Sequence, residues 1–275
     1  MPRRAPDTTS AHLRLGPSAA LAALLAALVL LVGLGHRPLT DWDEGIYAEI
    51  AREMLAAHTL HGFLIPHWNT HLWFEKPPLA MWLTGASLHL FGLDAFAARL
   101  PSALAGIAIV TVLHAWLLRR LPREGALLTA WFSTVILLSA FGFQHAARAG
   151  ETDTLLSLFS LLAVLGLADL LLGHARGWLL FFTGFALAIM TKGAASVTLP
   201  LTALVLTALH PRHLLRHART FTAGLLLFLA LTVPWHAFVY ASFGHAFLRD
   251  YLGFHTLTRA TNAIEGHRTH PWFYL

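Results

Sequence analysis

Residues 154–172 read TLLSLFSLLAVLGLADLLL, with Asp169 as the single charge. A run this long and apolar matches the roughly 17–25 residues an α-helix needs to cross hydrocarbon. Comparable runs lie near 17–35, 99–118, 126–144, 177–191, 194–209 and 220–240. The runs 177–191 and 194–209 are short, and Thr191-Lys192-Gly193 between them predicts a tight turn. The first run has Arg3, Arg4 and Arg14 on its flank, as a secretory leader would. It is long, however, and Gly35-His36-Arg37-Pro38 is not a small-x-small cleavage site, so it reads as an uncleaved first helix.

The composition agrees. The chain has 275 residues, 56% hydrophobic and 12% charged, against roughly 45–50% and about 25% in soluble domains. With a mean hydropathy of +0.61, this excludes a soluble globular enzyme, a disordered chain and a coiled coil. The expectation is an all-α polytopic membrane protein with about seven transmembrane helices. There is no cysteine, which removes disulfides, thiolate zinc sites, iron–sulfur clusters and cysteine nucleophiles.

The net charge of +5 has a topological reading. With the N-terminus in the cytoplasm, the inner segments hold Arg3, Arg4, Arg14, Arg119, Arg120, Arg123, Arg176, Arg212, Arg216 and Arg219 but only Asp7, Glu124 and Asp169 among the acids. This is the positive-inside pattern, and it accounts for the basic pI without nucleic acid. His210, His213 and His217 among those inner arginines read as a lipid-headgroup surface.

The polar chemistry gathers on the other face. In the outer loop 36–98, Asp41-Trp42-Asp43-Glu44 opens a helical pattern to about Ala57. Asp41 and Glu44 are spaced as a capping box, and Ile46, Ile50, Met54 and Ala57 form an apolar stripe. The pattern predicts an amphipathic helix in the membrane interface. The apolar stretch 79–92 predicts a second. His67 and His71 are four apart, but Pro66 and Asn69 argue against a helix there. A second outer segment is QHAARAGETDT at 144–154, with Asp153 at the mouth of the next run; a carboxylate there needs a cavity or a partner. The third is the tail, ending EGHRTHPWFYL.

DEGIYAEIAREM at 43–54, WFEKPPL at 73–79, ARAGETDT at 147–154, AIMTKG at 188–193 and GHRTHPWFYL at 266–275, taken in order, resemble the GT-C lipid-linked-sugar glycosyltransferases. The resemblance is to the lipid A aminoarabinose transferases and bacterial protein O-mannosyltransferases, over the N-terminal catalytic half of that pattern. It implies one membrane-embedded domain over 1–275, with the loop 36–98 contributing interfacial helices. It further implies an inverting transfer of sugar from a polyprenyl-phosphate donor to lipid A, another glycolipid or a protein, on the periplasmic face of a bacterial inner membrane.

Such chemistry needs a carboxylate near the acceptor and cations at the departing phosphate. The resemblance implies Asp43 and Asp153 as catalytic. Each reads equally as a helix N-cap, and Glu151 competes with Asp153. Lys76, between Glu75 and two prolines, is the implied phosphate anchor, with an interfacial snorkelling lysine as the alternative. Glu44, Tyr47, Arg52 and Arg148 are further substrate-binding candidates, with Lys192 a weaker cation. Glu44 also reads as a helix N3 residue, Tyr47 as core, and Arg52 as the partner of Glu49. The resemblance suggests a divalent metal between Glu75 and His267; a hydrogen-bonded interface histidine is the alternative reading of His267. No Walker loop, dinucleotide GxGxxG or HExxH is present, which disfavours nucleotide-driven chemistry; neither haem nor iron–sulfur is expected. Competing classes are a lipid-linked-sugar flippase, which would carry charges within spans and paired broken helices, and a non-catalytic truncated scaffold.

Overall fold

The computed structural model describes residues 8–40, 42–57 and 59–258. In chain order these form α1 (Thr8–Leu31), α2 (Asp43–Ala56), α3 (Leu60–Leu64), β1 (His67–Trp68), β2 (His71–Leu72), α4 (Leu79–Phe91), α5 (Ala95–Arg120), α6 (Arg123–Ser139), α7 (Phe141–Ala147) and α8 (Asp153–Leu171). There follow α9 (Gly177–Lys192), a 3-10 turn at Gly193–Val197, α10 (Thr198–Leu209), α11 (Pro211–Leu214), α12 (Ala218–Phe243), α13 (His245–Leu248) and a π-helical stretch at Arg249–Thr258. The fold is helical, as the apolar runs require: in hydrocarbon, backbone polar groups must be satisfied within the segment.

Every expected apolar run carries a helix, yet the number long and apolar enough to span is smaller than seven. Ala95–Arg120, Asp153–Leu171, Gly177–Leu209 and Ala218–Phe243 qualify, four runs among the described residues. The pair α6–α7, bent by 71°, makes a fifth if taken as one span. The apolar part of α1, Gly16–Leu31, is shorter. The runs 177–191 and 194–209 are joined in one helical stretch broken at Lys192 (φ −140°) and Gly193 (φ 51°), where the turn was expected. Phe221 at the start of α12 packs edge-on against Trp178 at the start of α9, ring centroids 4.9 Å apart. The chain after Gly193 therefore returns along the bundle before α12 begins.

The helices approach closely because small residues line their contacts. A Cβ on Gly166 would lie 2.6 Å from the carbonyl oxygen of Gly177, and one on Gly184 2.5 Å from that of Phe159. Only glycine admits such backbone contact, the usual device where apolar burial gives helices no mutual attraction in lipid. At the end carrying Arg120 the bundle is tied by Asp169, which accepts from Arg120 Nε and Nη2 at 2.8 Å and from Trp116 Nε1 at 2.9 Å.

The other end, the site end, carries α2–α4. Asp94 caps α5, its carboxylate accepting from the Ala97 N–H at 2.8 Å. The buried face of α2 is Tyr47, Ile50, Ala51 and Met54, so the stripe is rotated from the expected one: Ile46 is half-buried and Tyr47 takes its place. Asp41 of the expected capping box lies outside the described residues. His67 and His71 sit in a two-residue hairpin with Asn69 (φ 51°) and Thr70 (φ 67°) at its turn, the positive-φ pair that a type I′ turn demands. A second apolar cluster of Ile65, Phe74, Trp235, Val239, Phe247 and Tyr251 fixes this loop to the end of α12, and Trp235 Nε1 donates to the Leu64 carbonyl at 2.9 Å.

Candidate active site

Asp43 is the first residue of α2 and Asp153 the first of α8. Neither is a cap: the residues in the N-cap positions are Trp42 and Thr152, and neither makes a side-chain cap bond. Each carboxylate gains from the helix N-terminal dipole and turns instead to a lysine. Lys76 Nζ lies 3.9 Å from Asp43 Oδ2, and Lys192 Nζ 2.5 Å from Asp153 Oδ1. The two aspartates are 43% and 44% exposed, while Lys76 is only 10% exposed. The site thus presents two half-open carboxylates, one of them over a recessed lysine, Lys76.

Lys76 is held from below by Tyr47, its ammonium 4.3 Å from the ring centroid; a desolvated cation–π contact of this kind is worth about 2 kcal/mol. Trp73 meets the same Tyr47 ring edge-on with centroids 6.1 Å apart. The Tyr47 hydroxyl is buried and has no hydrogen-bond partner among the described residues. Tyr47 therefore acts on the site through its ring.

Glu151 follows Gly150, whose N–H donates to Glu44. Burial, followed by the charges of Asp153, Asp43 and Glu44, raises its carboxyl above the usual range, with His145 acting in the opposite sense. The Gly150 N–H, 2.8 Å from Glu44 Oε1, joins the start of α2 to the loop just before α8.

Glu44 was expected to meet substrate. It turns inward instead. Its side chain is 2% exposed and bonds Arg99 in a fork, Oε1 to Nε at 2.7 Å and Oε2 to Nη2 at 2.8 Å. The Thr40 N–H (2.7 Å) and hydroxyl (3.1 Å) donate to Oε2, and the Gly150 N–H to Oε1 at 2.8 Å. Arg99 spends its remaining donors on the carbonyls of Leu34, Arg37 and Pro38 at 2.8–3.0 Å. Burial alone would raise the Glu44 carboxyl; the Arg99 bond, the two backbone N–H groups and the Arg99 charge prevail and bring it down to about 2. Glu44 and Arg99 together pin the start of α2, the exit from α1 and the loop before α8. Arg99 was not singled out in the sequence, although a lone arginine opening an otherwise apolar run was a visible signal.

The other candidates are placed as follows. Arg52 is exposed and forks onto Glu49 at 2.6 and 2.8 Å, so it is accounted for by the local pair. Arg148 Nη1 donates to the Val29 and Leu30 carbonyls at 3.0 Å, tying α7 to the last turn of α1. Glu75 is half-buried beside Lys76, and His267 lies outside the described residues. Among the described residues no three His, Asp or Glu side chains converge as metal ligands. A cavity of about 630 Å³ opens beside the Glu44–Arg99 pair, lined by His36, Arg37, Gln144, His145, Arg148 and Glu151 among others.

A family model described as dolichyl-phosphate-mannose-protein mannosyltransferase matches residues 75–238, more than half of the chain. An uncharacterized protein of Aquifex aeolicus is 29% identical over 257 residues, 92% of this chain and 56% of its own length. An undecaprenyl phosphate-alpha-4-amino-4-deoxy-L-arabinose arabinosyl transferase of Erwinia tasmaniensis is 28% identical over 262 residues, 94% of this chain and 46% of the relative. The crystal structure of ArnT from Cupriavidus metallidurans bound to undecaprenyl phosphate is similar with a TM-score of 0.75 at 28% identity, over 87% of this chain and 44% of that one. The S. cerevisiae Pmt1-Pmt2 complex is similar in fold, with a TM-score of 0.56 at 18% identity, over 85% and 33%. The chain spans about half the length of the curated relatives it matches.

Proposed function

Since the chain belongs to the dolichyl-phosphate-mannose-protein mannosyltransferase family of GT-C glycosyltransferases, we propose that it transfers a sugar from a polyprenyl-phosphate donor to an acceptor. The observation that carries this reading is the pairing of two half-exposed aspartates, Asp43 and Asp153, with the lysines Lys76 and Lys192. A departing phosphate needs fixed cations as charge develops on it. A sugar centre with oxocarbenium character is favoured by nearby carboxylates.

In this reading Lys76 anchors the donor phosphate, displacing its loose contact with Asp43. Asp153 positions the donor and keeps Lys192 oriented. Asp43 works on the acceptor, orienting its nucleophilic hydroxyl or taking its proton. Attack from the face opposite the phosphate inverts the anomeric carbon. Glu44, Arg99, Tyr47 and Arg148 position the site without meeting substrate. A divalent metal at Glu75 and His267 rests on the family pattern alone, and no step runs through it. The relatives' names and the undecaprenyl phosphate bound to ArnT support a lipid donor; lipid A, another glycolipid or a protein is the acceptor class. Residues 1–275 belong to a membrane-embedded domain, as the N-terminal part of the family pattern, lying in a bacterial inner membrane with the N-terminus cytoplasmic and the 36–98 loop periplasmic.

The test is transfer of label from polyprenyl-phosphate sugars by purified chain in lipid. Asp43→Asn and Asp153→Asn keep size and helix preference and remove charge. Loss of transfer with intact folding supports the reading, and normal transfer by both variants refutes it.

A further inference from the structure

The cavity beside the Glu44–Arg99 pair is walled by the turn after α1 and by α7. On the α7 side the Arg148 guanidinium is fixed through Nη1, which donates to the Val29 and Leu30 carbonyls at 3.0 Å. Its Nη2 makes no hydrogen bond among the described residues. A Cβ on Gly33 (φ 72°) would stand 3.4 Å from His36 Nδ1 and 3.7 Å from Arg148 Nη2, so these two nitrogens border one point of the wall. Arg99 donates to the carbonyls of Leu34, Arg37 and Pro38, and the side chains of His36 and Arg37 therefore start from a clamped turn. His145 joins them from α7. Among the described residues none of His36, Arg37, His145 and Arg148 forms an ion pair. Of the two carboxylates on the wall, Glu44 is matched by Arg99. Glu151 alone is left against two arginines and two imidazoles.

The surroundings are apolar. Exposed Leu21, Leu24, Leu28 and Val32 form a helical stripe that runs up α1 to the cavity at Gly33. Exposed Leu128, Phe132 and Val135 do the same on α6, and exposed Phe141 sits on the cavity wall itself. The two helices share a small core with α5 through Ala26, Val110 and Leu138, so the stripes belong to neighbours. A cationic recess at the head of two hydrocarbon-facing stripes has the build of an amphiphile site: fixed guanidinium donors for a phosphate and apolar surface for the chains below it.

We propose that this cavity binds the phosphate of an anionic phospholipid of the bilayer, held by Arg37 and Arg148 with the imidazoles of His36 and His145 as further donors. The inference does not depend on the glycosyl transfer proposed above.

The chain has no cysteine, so a bimane label on Val32→Cys reports lipid at this one place. The labelled chain is reconstituted in phosphatidylcholine vesicles, and brominated phosphatidylglycerol or brominated phosphatidylcholine is added in steps. Phosphatidylglycerol should reach half-quenching at the lower mole fraction. Arg37→Gln should cut that preference roughly fivefold, the weight of one arginine beside an anionic lipid, and Arg148→Gln should cut it too. Since Arg148 also ties α1, Arg37→Gln is the deciding loss; its side chain has no partner among the described residues. Glu151→Gln should raise the preference by a similar factor, a gain that a misfolded chain would not give. Arg119→Gln, at the far end of α5, should leave it unchanged. Equal quenching by the two lipids in the parent chain, a preference that survives Arg37→Gln, or an equal loss in Arg119→Gln overturns the proposal. Abolition of the preference by millimolar inorganic phosphate would assign the cavity to a free anion, and abolition by a trace of undecaprenyl phosphate would assign it to the donor; either overturns it as well.

Discussion

Glu44→Gln is the substitution whose cost follows most directly from the geometry. It keeps volume and one acceptor oxygen but leaves Arg99, 6% exposed, without its counter-charge. Breaking one partner of a buried, fully hydrogen-bonded pair costs about 3–5 kcal/mol. The depression of the Glu44 carboxyl from 4.5 to about 2 gives a second route to the magnitude: at 1.36 kcal/mol per unit this is roughly 3 kcal/mol. For a domain of this size such a loss lowers Tm by roughly 6–12 °C. The sign with pH is fixed as well. The folded-state pKa is depressed, so the contribution is fully present above the unfolded value near 4.5 and is lost as pH falls towards about 2. Thermal unfolding in detergent, followed by tryptophan fluorescence from pH 8 to pH 3 (about the accessible range), should show a wild-type advantage that is constant at neutral pH and narrows in acid. Arg99→Lys keeps the charge but cannot reproduce five donors in a fork, so it should also destabilise. Glu44→Gln combined with Arg99→Met removes both charges and should recover part of the loss. An unchanged Tm for Glu44→Gln, or a difference that grows in acid, would refute the reasoning.

Lys76→Ala should weaken undecaprenyl phosphate binding, and Lys76→Arg should restore it only in part, because a planar fork does not replace a compact ammonium stacked on Tyr47; calorimetric titration checks both. Tyr47→Phe should leave donor binding and stability nearly unchanged, since its hydroxyl has no partner among the described residues, whereas Tyr47→Ala should lower both by removing the ring beneath Lys76. Gly184→Ala places a methyl 2.5 Å from the Phe159 carbonyl and should cost about 1–3 kcal/mol by overpacking, read as a lower Tm without a change in the pH–rate profile. A single cysteine at Thr70 should react with an impermeant thiol reagent on intact cells while one at Arg123 should not, and the reverse result would invert the assigned orientation.

The apolar runs by themselves determined that the chain is a helical membrane protein, because crossing hydrocarbon demands length and apolarity that can be counted along one dimension. The polar motifs likewise marked Asp43, Lys76 and Asp153, since charge at the mouth of an apolar run needs a reason. Partner choice was not readable in the same way. Glu44 and Arg99 are 55 residues apart and Asp153 and Lys192 are 39 apart; which cation meets which acid depends on how α2, α5, α8 and α9 pack, not on spacing in the chain. The same holds for Arg148, a phosphate candidate by charge whose Nη1 the tertiary structure turns onto the last carbonyls of α1 while the residue lines the cavity. The bend at Ala140 and the rotation of the α2 stripe onto Tyr47 were decided at the same level. A charge is legible wherever it stands, but its job is set by desolvation and by what lies within about 4 Å, and both of these exist only once the helices have been brought together.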